Sequence, residues 1–172
     1  MTALTLAYRA GDLAGVKAVL GWPEDFLNSA QPLELASGDW PLVTAINLSP
    51  LGFVRRLLDL GADPNYEALD GFPSLFVALD ADRPDRLQVM TLLLQHGART
   101  DTRGLNDWTP LHYAVARRSL AAVNLLLDRG ADPHARTRID DCSTALEDAV
   151  SAGFTKAVEV IRARLQAPPG GP

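Results

Sequence analysis

The residues of this chain that could do chemistry are three histidines (His96, His112, His134), one cysteine (Cys142) and 21 carboxylates. A Cys–His pair would supply a thiolate and its base. A close cluster of His, Cys, Asp and Glu would hold a metal. Neither pattern is met. None of the histidines stands at a recognisable catalytic spacing from Cys142. Asp80, Asp82 and Asp85 cluster, but Arg83 and Arg86 interleave, and no Gly-centred calcium loop is present. Asp140-Asp141 precedes a helix start, where carboxylates serve as caps. No phosphate-cradling glycine loop, Gly-x-Ser-x-Gly elbow or Cys-pair motif occurs. The residues therefore predict no catalytic, cofactor or metal site.

The elements that carry these residues announce themselves by repetition. One phrase occurs three times: Gly61-Ala62-Asp63-Pro64-Asn65, Gly97-Ala98-Arg99-Thr100 and Gly130-Ala131-Asp132-Pro133-His134. Each follows an apolar helical run, Leu57-Leu58, Leu92-Leu93-Leu94 or Leu125-Leu126-Leu127. Glycine to glycine, the steps are 36 and 33 residues. Self-similarity near that period predicts a stacked repeat rather than a single-core globule. A stack offers a long surface rather than a cleft.

The fourth copy is the clearest. Thr109-Pro110-Leu111-His112-Tyr113-Ala114 opens a helix, with Pro110 in its first turn, where a missing N–H costs nothing. A second helix runs from about Leu120 to Arg129, and Gly130 stops it. Asp107-Trp108-Thr109-Pro110-Leu111-His112-Tyr113-Ala114, followed by Leu125-Leu126-Leu127-Asp128-Arg129-Gly130-Ala131-Asp132, resembles an ankyrin repeat, a β-turn plus two antiparallel helices. The other copies align on it. Gly38-Asp39-Trp40-Pro41-Leu42 leads to Gly61, and Gly71-Phe72-Pro73-Ser74-Leu75 leads to Gly97. Cys142-Ser143-Thr144-Ala145-Leu146 opens a fifth unit, and Leu4-Thr5-Leu6-Ala7 the first.

The resemblance implies an all-α ankyrin-repeat solenoid of about five helix-turn-helix units with β-turn fingers. A single domain is expected over 1–166, with units at about 1–36, 37–69, 70–105, 106–138 and 139–166. The two end units depart from the pattern and are expected to act as polar caps. Residues 22–36 exceed the period and are expected to carry a short helix around Asp25 to Asn28. The Pro/Gly-rich tail 167–172 is expected to be disordered.

Composition narrows the partners. A net charge of −5, from 16 basic and 21 acidic residues, argues against a general nucleic-acid binder, which needs a basic face. A single cysteine cannot form an internal disulfide and fits a reducing compartment. No secretory leader and no membrane-spanning run are recognised, so a cytoplasmic protein is expected, monomeric on its own.

The resemblance further implies that partners meet the concave face built from finger tips and first helices. Aligned on Leu42, Leu75, Leu111 and Leu146, the variable positions of that face include Asp39, Phe72, Asp80, Trp108, Tyr113 and Arg117. Asp70 and Asp141 flank it. Phe72, Trp108 and Tyr113 are aromatic residues of the kind that anchor interfaces. The stretch 101–138 is locally basic, with six arginines against four aspartates, and the flanking stretches are acidic. Such alternation selects a particular protein better than a polyanion. These residues predict a non-catalytic module that captures a protein partner. An inhibitor or immunity-type protein that blocks an enzyme or toxin is the alternative. The resemblance also implies that His112 bonds locally near Thr109 rather than acting in catalysis.

Overall fold

The computed structural model describes residues 2–21, 26–29, 40–66, 72–139 and 142–166. Among the described residues ten helices follow in five pairs: α1 (Ala3–Ala10) with α2 (Leu13–Leu20), α3 (Pro41–Leu48) with α4 (Leu51–Asp59), α5 (Ser74–Asp80) with α6 (Arg86–Gln95), α7 (Pro110–Ala116) with α8 (Leu120–Asp128), and α9 (Ala145–Ser151) with α10 (Thr155–Gln166). Short 3₁₀ turns occupy Phe26–Asn28 and Leu105–Asp107. Among the described residues, β-pairing is confined to one antiparallel bridge, Arg136 with Thr144. Of the expected short helix near Asp25, the turn from Phe26 is present, and Asp25 lies outside the described residues. The tail 167–172 also lies outside them.

The repeated Gly-Ala phrase is a helix stop. Gly61, Gly97 and Gly130 take φ of 99°, 89° and 81°, the left-handed region where a side chain is strained. This turn lets the next residue bond backwards. Ala62, Ala98 and Ala131 each donate an N–H to a leucine carbonyl, Leu57, Leu93 and Leu126, at 2.9 Å every time. That is the Schellman arrangement, which satisfies carbonyls a helix end leaves open. The alanines themselves are buried, so only a small side chain fits there. In two of the phrases the following aspartate makes a local turn as well. Asp63 accepts from the Asn65 N–H at 2.7 Å and Asp132 from the His134 N–H at 2.8 Å.

The chain forms two compact units, Met1–Glu67 with Pro73–Ala98, and Ala68–Phe72 with Arg99–Pro172. In the first unit α1 packs on α3, α3 on α5 and α4 on α6. Its core is lined by Tyr8, Ile46, Leu57, Phe76, Met90 and Leu93, all fully enclosed. Tyr8 meets Phe53 edge-on, with ring centres 5.9 Å apart. Asparagines bridge successive copies here. The Asn28 side chain donates to the Gly61 carbonyl at 3.0 Å, and Asn65 donates to Gly97 at 2.9 Å.

In the second unit α7 packs on α9 and α8 on α10. Leu111, His112, Val123, Leu126, Ala149 and Ile161 form its interior. Leu126 and Leu127 are buried, whereas Leu125 is only half-buried. At 100° per residue, α8 can direct only part of a three-leucine run inward.

Candidate partner-binding face

In the second unit the finger ahead of α7 is built by backbone turns that the preceding glycine permits. The Gly104 N–H donates to the Trp108 carbonyl at 3.0 Å, and Asp107 N–H to Gly104 at 3.0 Å. Asn106 and Asp107 both sit at φ of 56°, an uncommon conformation for non-glycine residues. Side-chain bonds hold it in place. The Asp107 carboxylate accepts the Arg138 N–H at 2.6 Å and the Arg138 guanidinium, with Arg103 also within reach. Arg103 further donates to the carbonyls of Asp107 at 2.9 Å and Arg136 at 2.8 Å. Hydrogen bonding to Arg138 holds the Asp107 carboxyl below the usual carboxylate range.

The finger hands the chain to α7 through Trp108, which is half-buried and extended, and then Thr109. Thr109 caps the helix with His112. Its N–H and hydroxyl lie 3.3 and 2.8 Å from His112 Nδ1. His112 Nε2 lies 3.1 Å from the Ser143 carbonyl, which can only accept. Nε2 therefore carries the proton and Nδ1 is the acceptor. His112 is buried, and its loss of solvation lowers its pKa. This is the local bond expected from the sequence, extended by a link to the next copy.

The structure brings three of the sequence-predicted site residues together. Tyr113 lies 6.2 Å from Trp108 in a tilted arrangement and meets Phe72 edge-on at 6.2 Å. The three differ in exposure. Phe72 and Trp108 are half-buried, whereas Tyr113 is only 5% exposed. Tyr113 is therefore the platform of the cluster and the other two rings its accessible part. Arg117 is exposed at the end of α7. Asp80 is exposed at the end of α5, in the first unit. Asp39, Asp70 and Asp141 lie outside the described residues.

Sequence reasoning missed the arginine–aspartate clamp on Asp107, the residue before Trp108. Its signal was present: Arg103 and Asp107 stand four residues apart, and Arg138 follows Asp107 by close to one repeat. The exposed apolar residues Leu105 and Ile139, on the two fingers that this clamp joins, were also missed. Among the described residues no group of three His, Cys, Asp or Glu side chains is placed to hold a metal. No described helix is long and apolar enough to cross a membrane.

With paired helices, glycine stops and fingers in view, comparison with known proteins is decisive. The sequence pattern of ankyrin repeats, in three copies, matches residues 42–137 and 91–166. The chain belongs to the ankyrin repeat family. Probable E3 ubiquitin-protein ligase XBOS34 of Oryza sativa subsp. japonica is 31% identical over 70% of this chain and 23% of its own length. Alpha-latroinsectotoxin-Lt1a of Latrodectus tredecimguttatus is 32% identical over 59% of this chain and 7% of its own. SH3 and multiple ankyrin repeat domains protein 1 of Homo sapiens is 36% identical over 49% of this chain and 4% of its own. The chain thus spans a small part of each of these curated relatives. Ankyrin repeats are, as a family, protein–protein interaction modules and typically non-catalytic.

Proposed function

We propose that this chain is a non-catalytic binding module that captures a protein partner on its finger and first-helix face, with Trp108 as the anchor. The observation that carries this is a half-exposed indole on a backbone held from both sides. Asp107, just before it, is clamped by Arg138 and Arg103, and Thr109, just after it, is bonded to His112. Tyr113 packs beside the ring at a tilt, and Phe72 extends the aromatic surface. An aromatic side chain with little freedom left to lose is the kind that dominates interface energies. Arg117 supplies positive charge at the end of α7, and Asp39, Asp70, Asp80 and Asp141 are proposed on sequence register as acidic contacts. The net charge of −5 makes a nucleic-acid backbone a poor ligand. Binding is non-covalent and uses a pre-formed surface.

The test is affinity capture from the native cell, followed by calorimetry on the partner identified. Trp108→Ala should bind about tenfold more weakly or worse, a loss of about 1.4 kcal/mol, with little change in melting temperature. Normal affinity in that variant, or its unfolding, would refute the assignment.

A further inference from the structure

Asp107 stands where two earlier copies have glycine. Aligned on Leu42, Leu75 and Leu111, its counterparts are Gly38 and Gly71. Its φ of 56° suits a glycine and strains an aspartate, and Asn106 before it is strained alike. Such strain persists only where surrounding contacts hold it. The contacts on Asp107 are made by its carboxylate. That side chain is only 10% exposed, gripped by Arg103 of its own finger and by the guanidinium and N–H of Arg138 on the next.

The next finger is in turn fixed to α9. Arg136 faces Thr144 across the antiparallel bridge, and its guanidinium donates to both carboxylate oxygens of Glu147 at 3.1 Å. Glu147 accepts the Thr144 N–H at 2.7 Å, closing the capping box of α9. Arg103 ties the two fingers again through the Arg136 carbonyl at 2.8 Å. On the other side of Trp108, Thr109 is bonded to His112, whose Nε2 donates to the Ser143 carbonyl at 3.1 Å. The residues before and after Trp108 are thus both anchored on the fifth finger.

We propose that the fifth finger positions Trp108, with Arg138 as the positioning residue. Without Arg138 the carboxylate loses the bonds that offset its strained turn, and the Asp107–Trp108 segment relaxes. The indole is then no longer presented in one orientation, and a pre-formed contact surface is lost. Given Trp108 as the anchor proposed above, capture of a partner and order in the fifth unit are coupled. By linkage, a partner that fixes Trp108 also stabilises the fifth finger, and a loosened finger weakens capture.

Nuclear magnetic resonance of the indole N–H groups reads the positioning with no partner present. Trp108→Phe assigns the Trp108 signal, and Trp40, in the first unit, is the internal control. In Arg138→Gln the Trp108 signal should shift and broaden, while the Trp40 signal and the helical circular dichroism stay unchanged. Asp107→Gly restores the residue of the earlier copies and suits the turn. It should loosen Trp108 in the same way and keep the fold, so it decides alone if Arg138→Gln unfolds. A Trp108 signal unmoved in the folded variants would overturn the proposal. With the partner obtained by capture, the same variants should bind more weakly, chiefly through faster dissociation. A loosened Trp108 with unchanged affinity would support the positioning and refute Trp108 as the anchor.

Discussion

His96 and Asp59 join two helix ends of the first unit: Nε2 of His96 lies 3.0 Å from Oδ1 of Asp59, and Nδ1 lies 2.9 Å from the Leu92 carbonyl. Both ring nitrogens face acceptors, so only the protonated imidazolium satisfies both. The Leu92 carbonyl and then Asp59 raise its pKa above the usual 6.5, against smaller opposing effects of lost solvation and then of Arg55. In the second unit Asp128 and Arg164 form the corresponding pair.

The His96 pair should therefore depend on pH. A folded pKa above the unfolded one gives a contribution complete below 6.5 and lost as pH rises through the raised value. Both partners are accessible to water, so the effect on overall stability should be small. Nuclear magnetic resonance titration should place His96 above free histidine, and Asp59→Asn should bring it part-way down. A His96 that titrates like the free residue in the intact chain would refute the doubly bonded imidazolium.

His112 should show the opposite sign. Burial lowers its pKa, so its contribution is complete above 6.5 and is lost as pH falls through the lowered value. Protonating Nδ1 would put a proton where the Thr109 N–H now donates. Thermal melts of the chain should shift downward on acidification, and His112→Gln should flatten that slope. His112→Ala should cost about 2 kcal/mol through the lost hydrogen bonds to Thr109 and Ser143. A slope unchanged in His112→Gln would show that another group governs the acid limb.

Leu126 is fully buried and Leu125 only half-buried. Leu126→Ala should cost about 2–5 kcal/mol in denaturant unfolding. Leu125→Ala should cost about 1 kcal/mol, the centre of the distribution for single substitutions. Equal losses would mean that α8 is rotated from the position described.

Arg118 joins α7 to the next pair in a conformation that favours glycine. Its φ is 53°, and Gly11 and Gly153 occupy the corresponding turns of other copies at 66° and 61°. The arginine is held by contacts. Its guanidinium donates to the Ala152 carbonyl at 2.8 Å and lies 5.1 Å above the Phe154 ring. Arg118→Ala removes those contacts and keeps the backbone strain. Arg118→Gly removes both. The alanine variant should melt lower than the glycine variant, which differential scanning calorimetry reads directly. The reverse order would show that the turn is unstrained.

What the sequence determined is local. Helix pairs follow from apolar runs ended by glycine, and the Gly-Ala stop follows from a positive φ beside a small buried residue. The Thr109–His112 cap joins residues three apart on one turn. In each case the interacting groups are near neighbours, so residue type and spacing carry the geometry. Only the tertiary structure decided the pairings of residues 30 or more apart: His96 with Asp59, His112 with Ser143, and Arg138 with Asp107. These depend on how one copy stacks on the next and on the length of each finger. The fifth finger is an instance. The bond from Gly104 to Trp108 spans four residues, and the bond from Thr137 to Ser143 spans six. The same distinction separates the aromatic residues. Register alone assigned Phe72, Trp108 and Tyr113 to one class, and packing made Tyr113 the buried support of the other two. Exposure depends on what lies on top of a side chain, and that is decided by stacking rather than by position in the repeat.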